Sequence, residues 1–146
     1  MPISTIIPAD AYALSVFLCP DASPVDMIIA SSTYFVIEYS ATYDKYKFTI
    51  YGGSTVVQYL GSAVAGKWMK VGLMSCLDVN SAWIAEYYAD NDIYSTSFTV
   101  PLSGTTFNFF VQSGYNSYRG KAKLASIQTT KFCNPYSQRF YPQPDD

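Results

Sequence analysis

Gly66-Lys67-Trp68-Met69-Lys70-Val71-Gly72-Leu73, followed about fifteen residues later by Tyr88-Ala89-Asp90-Asn91, decides the fold of this chain. Past Gly66, the residues Val71, Leu73, Ser75 and Leu77 share one side of an extended strand and Trp68 takes the other. A buried Trp68 would therefore require a β-bulge between it and Val71. Asp78-Val79-Asn80-Ser81 has turn composition, and the chain returns with Trp83, Ala85, Tyr87 and Ala89 on one face and Ile84, Glu86 and Tyr88 on the other. Two amphipathic runs joined by a turn predict an antiparallel pair. Asp90-Asn91 then has the composition of a tight hairpin turn that needs positive φ.

Working outward, nearly every segment carries the period of a strand. Tyr12, Leu14, Val16 and Leu18 alternate on one face until Pro20-Asp21. Phe35-Val36-Ile37-Glu38-Tyr39 places its acid opposite Phe35, Ile37 and Tyr39. Lys45 to Tyr51 alternates, Gly52-Gly53 turns it, and Thr55 to Leu60 follows. Tyr94 to Val100 predicts a polar strand, Phe107 to Val111 a short apolar one, and Tyr118 to Thr130 the last. No amphipathic helix and no internal repeat is visible, so the pattern predicts an all-β sandwich or barrel. Residues 1–133 make one domain, and 134–146, with three prolines and no alternation, form an arm or linker.

Composition narrows the function. Hydrophobic residues are 49% of the chain and charged ones 14%, well under the roughly 25% usual for soluble domains, so the surface must be largely neutral. Fourteen Tyr, nine Phe and two Trp exceed what one core of this size can hide. Some tyrosines must therefore be exposed, where a flat apolar face with a polar tip suits protein contact and stacking on sugars. A net charge of −2 offers no field for nucleic acid. Arg119, Lys121 and Lys123 would still share one strand face, either as a site for an anionic glycan or as a solvated surface. The absence of histidine excludes His-based triads and His-based metal sites. Cys19, Cys76 and Cys133 form no C-x-x-C pair, leaving one disulfide or three thiols open. No apolar run approaches a membrane span, so no membrane insertion is expected. The opening Met1 to Pro8 lacks a secretory leader, which fits a leaderless protein or a piece of a longer one.

Four pieces occur in an informative order: Tyr12-Ala13-Leu14-Ser15-Val16-Phe17, Gly66 to Leu73, Tyr88 to Asn91, and Tyr118-Arg119-Gly120-Lys121-Ala122. Together, over about residues 12 to 130, they resemble the laminin-G-like, concanavalin-A-like jelly-roll domains, with Asn91 where the family has Gly. The resemblance implies an antiparallel β-sandwich, a non-catalytic recognition role toward glycan or protein, and an extracellular or cell-surface setting. It also implies a calcium ion at a loop rim in many members. Here Gly61 to Ala65 supplies no acid ahead of the Gly-x-Trp motif, leaving Asn116 as the one matching metal ligand and no other cofactor. Asp90 and Asp92 are an alternative pair for a cation, although Asp90 is first a turn residue.

Glycosidases on this fold carry alternating carboxylates on one strand, and nothing here matches. The two glutamates, Glu38 and Glu86, lie on separate strands. Galectins, on a related sandwich, require His-x-Asn-x-Arg and Trp-x-x-Glu-x-Arg for their sugar, and both are absent. Binding is therefore expected on another surface. The candidates are an outward set of Tyr34, Val36, Ile84, Glu86 and Tyr88, unless a further layer covers it, together with the rim residues Tyr115, Asn116 and Arg119. The alternative is a self-assembling subunit of a filament, coat or matrix, a homo-oligomer or polymer whose arm, through Tyr136, Phe140 and Tyr141, lies across a neighbour.

Overall fold

The computed structural model describes residues 3–5, 11–20, 26–61, 66–77, 82–98, 107–109 and 122–131. Among them run the strands β1 (Ile3–Thr5), β2 (Tyr12–Pro20), β3 (Met27–Ser31), β4 (Phe35–Ser40), β5 (Lys45–Tyr51), β6 (Thr55–Leu60), β7 (Met69–Leu77), β8 (Trp83–Ala89), β9 (Asp92–Phe98), β10 (Phe107–Phe109) and β11 (Ala122–Lys131). They form a six-stranded sheet ordered β1-β10-β3-β4-β5-β6 and a five-stranded sheet ordered β11-β2-β7-β8-β9. Every neighbouring pair is antiparallel. This is an all-β sandwich, as the strand periods predict, with the jelly-roll architecture that the family resemblance implies.

Alternation puts the core between the sheets. The six-stranded sheet contributes Phe35, Ile37, Tyr39, Tyr46, Phe48, Ile50, Phe107 and Phe109, and the five-stranded sheet contributes Tyr12, Leu14, Val16, Leu18, Val71, Leu73 and Tyr87, all buried in one cluster. Each large side chain removed from water stabilises the fold by about 1.5–3 kcal/mol before its ordering cost. Tyr87 rests on Phe48 across the two sheets, ring centroids 5.1 Å apart. The open side between the edge strands β6 and β9 is closed at both ends. At one end the Gly61 amide donates to Asp92 Oδ2 at 2.8 Å. At the other, Gly52 lies so close to Phe98 that an added Cβ would sit 2.1 Å from the ring.

The deciding pair behaves as read: β7 and β8 are hydrogen-bonded from Val71↔Ala89 to Leu77↔Trp83. Trp68, however, is 40% exposed, and β7 keeps continuous register with both neighbours, so no bulge is needed. In the β8–β9 turn Asp90 adopts φ 55°. Asn91 has no positive φ, so it does not occupy the conformation of the glycine that the family motif has there. With only two turn residues, Asp92 already pairs with Ala89, and β9 begins ahead of the expected Tyr94. The last strand is described from Ala122 to Lys131, and its expected start at Tyr118 lies outside the described residues. Two strands had no alternating signal: β1 is three residues long, and β3 carries a register shift between Ile28 and Ala30 that buries both Ile29 and Ala30. The arm 134–146 lies outside the described residues.

Candidate functional site

The predicted outward set is split by the topology. Tyr34 and Val36 belong to the six-stranded sheet, whereas Ile84, Glu86 and Tyr88 belong to the five-stranded one, so their outward faces look in opposite directions. Tyr34 is half-buried against the core, its amide donating to Ser32 Oγ at 3.1 Å. Ile84 packs with Ala11, Ala13, Met74 and Cys76 in a second apolar cluster on the outward side of β2, β7 and β8, which closes that end of the face. Tyr88 is only 8% exposed. Its ring lies over Gly72, where an added Cβ would come within 2.6 Å of the hydroxyl, and that hydroxyl is hydrogen-bonded to Ser15 on β2. Burial raises its pKa, partly opposed by this bond. Ile84 and Tyr88 thus serve the scaffold, and of the three residues on this sheet Glu86 is the one left partly open, between Met74 and Ser95. Tyr115, Asn116, Arg119, Tyr136, Phe140 and Tyr141 lie outside the described residues. Among the described residues no group of three or more Cys, Asp or Glu could hold a metal ion.

The surface that does combine exposed rings with charge is the outward face of β4, β5 and β6. Antiparallel register aligns Glu38, Lys47 and Tyr59 in one row across the three strands. Ser40 and Lys45 form the next row, and Val36, Thr49 and Val57 flank the other side. Tyr43, at the β4–β5 loop, is 59% exposed and meets Tyr59 with ring centroids 4.8 Å apart at 59°. Neither lysine forms an ion pair with Glu38 or any other described residue. Among the described residues nothing pairs with either ammonium group or with the carboxylate.

Local chemistry holds Tyr43 where it is. The Ala41 amide donates to Asp26 Oδ1 at 2.6 Å, tying the loop to the chain just before β3. Asp44 takes φ 50°, a left-handed conformation that Asp tolerates better than most residues. Its carboxylate accepts from the Tyr39 hydroxyl at 3.0 Å. Burial, then this bond to Asp44, pushes Tyr39 up to about 12, so the hydroxyl stays a donor at any physiological pH. A loop anchored at both ends presents its ring at low entropic cost.

Sequence reasoning did not select Tyr43, Tyr59, Lys45 or Lys47. The alternation from Lys45 to Tyr51 already put Lys45, Lys47 and Thr49 on one side; their alignment with Glu38 and Tyr59 needs the register. Glu38 and Glu86 point away from each other on the outer faces of two sheets that pack about 10 Å apart. That excludes the separation of at most about 9.5 Å at which paired carboxylates cleave a glycosidic bond.

No family model and no curated protein sequence matches the chain. Solved structures do. The galectin LEC-6 of Caenorhabditis elegans superposes with a TM-score of 0.59 at 10% identity, over 89% of this chain and 91% of that one. Sheep galectin-11, in a complex with glycerol, gives 0.53 at 14% identity over 89% and 96%. A tetrameric galectin from the ball sponge Cinachyrella gives 0.52 at 12% identity over 88% and 99%. At these identities the similarity establishes the fold alone, a jelly-roll β-sandwich, and does not single out laminin-G-like domains.

Proposed function

We propose that this protein is a non-catalytic glycan-binding module whose sugar lies on the outward face of β4, β5 and β6. The observation that carries this reading is the Tyr43–Tyr59 ring pair beside the row Glu38–Lys47. A pyranose needs an apolar surface for its C–H face and charged or polar groups for its hydroxyls, and this face offers both. Lys45 and Lys47 donate and Glu38 accepts. The fold shared with three galectins supports the class of ligand, while the side chains that would contact it are this chain's own.

A glycan array identifies the ligand, and calorimetry then compares variants. Tyr43→Ala is expected to weaken binding about tenfold, the loss of roughly 1.4 kcal/mol that one aromatic contact supplies, with an unchanged melting temperature. Glu38→Gln should weaken it by a similar factor. A blank array together with a concentration-dependent mass in light scattering would instead favour the self-assembling subunit.

A further inference from the structure

The outward face of the five-stranded sheet is closed at one end by the cluster around Met74 and Cys76 and across its middle by Tyr88 over Gly72. Its other end is open. There Phe17 of β2 and Trp68, just ahead of β7, are 39% and 40% exposed and stacked with centroids 5.2 Å apart at 33°. Phe17 stands opposite Lys70 on one side and Ser126 on the other. The register of β11 shifts between Leu124 and Ser126, a bulge beside the rings. Lys67 and Lys70 are exposed, and neither makes an ion pair with a described residue. The nearby acid, Asp90, turns a carboxylate oxygen toward the Lys70 amide at 3.4 Å.

Two features of this corner call for a ligand. Large rings exposed on an outward sheet face lose the benefit of burial, yet these two are held against each other as a tilted pair. Lys70 stands opposite Phe17 and Lys67 directly precedes Trp68 in the chain, and among the described residues neither has a counter-ion. Exposed aromatic rings with a cation beside them complement a sugar ring that carries a carboxylate or sulfate. A neutral sugar would leave the lysines unused.

We propose that Phe17, Trp68, Lys67 and Lys70 form a second saccharide site, selective for anionic sugars bearing uronate or sulfate groups. It lies on the face of the sandwich opposite the Tyr43–Tyr59 surface, so one chain carries two outward-looking sites. Such a chain links two strands of a polysaccharide, or two glycans on one surface, without itself oligomerising. The claim is independent of what the first surface binds.

Tryptophan fluorescence reads this site directly, because Trp68 is exposed while Trp83, the only other tryptophan, packs against the core. Titration with a heparin-derived tetrasaccharide and with a polygalacturonate oligomer is expected to shift the emission of the intact chain, with neutral cellotetraose inert. Lys70→Gln should weaken binding by about ten- to a hundredfold, the loss of one charge-assisted contact, and flatten its salt dependence. Trp68→Ala should abolish the signal, and Trp68→Phe should retain affinity by calorimetry. Tyr43→Ala should leave it unchanged. No response to either anionic oligomer overturns the proposal. So does equal response to the neutral one, tighter binding to phosphatidylserine vesicles than to either sugar, or a dimer in solution that Trp68→Ala dissolves.

Discussion

At the scale of single residues, polar atoms in the core and glycines against rings decide what the fold tolerates. The hydroxyls of Tyr46 and Tyr87 and of Ser75 are buried without a hydrogen-bond partner among the described residues. An unpaired buried hydroxyl gives up its hydration for nothing, so removing it is neutral or stabilising. Tyr87→Phe is therefore expected to keep the stack on Phe48 and raise stability by up to about 1 kcal/mol in urea unfolding. A clear loss would mean the hydroxyl has a partner. Gly72 makes the opposite case. A methyl group there meets the Leu14 carbonyl oxygen as well as the Tyr88 hydroxyl, both at 2.6 Å. Gly72→Ala should cost about 1–3 kcal/mol, because one obstacle is backbone and cannot swing aside. Relaxed burial of Tyr88, read as faster iodide access or a lower phenolic pKa, should accompany the loss.

At the scale of elements, the β4–β5 loop links stability to binding. Asp26 holds the Ala41 amide and Asp44 holds the Tyr39 hydroxyl, and Tyr43 stands between these anchors. Asp26→Ala is expected to cost about 1 kcal/mol in folding, the net worth of a hydrogen bond. Glycan affinity should fall further than that loss explains, since the ring then pays for its own ordering. Equal affinity in the variant would show that the loop needs no anchor. The pairing of β2 with β7 sets the cysteines: Cys19 is near one end of β2 and Cys76, on β7, lies just past its other end, about 26 Å away at about 3.3 Å per residue. A disulfide needs Cα atoms within about 7 Å, so non-reducing peptide mapping should find no Cys19–Cys76 link.

Over the whole molecule, the buried tyrosines couple the fold to alkaline pH. Burial raises the hydroxyl pKa of Tyr12 and Tyr46, as it does that of Tyr39, which reaches about 12 against the ordinary value of 10.0. Each such group keeps its proton in the folded state after the unfolded chain has lost it. The stabilisation is thus complete below pH 10 and is lost as pH rises from 10 through 12, by about 1.4 kcal/mol per pH unit for each tyrosine. Urea midpoints are expected to hold up to about pH 9 and to fall steeply above 10. A flat profile to pH 11 contradicts this account.

The sequence by itself determined the class of fold, the partners within the deciding hairpin, and the inward rows of β2, β4, β5, β7 and β8, because side-chain alternation is a property of each strand alone. It could not register β3, whose bulge erases the alternation, or β1, which is too short to carry one. The sites depended on what no single strand contains. Strand order put Tyr34 and Tyr88 on different sheets, dissolving the set that parity suggested. Turn lengths set the register that aligned Glu38 with Lys47 and Tyr59, and packing decided that Tyr88 is covered while Trp68 is bare. Period tells which side of a strand a residue takes. Only pairing between distant strands tells what stands beside it, and binding is done by neighbours.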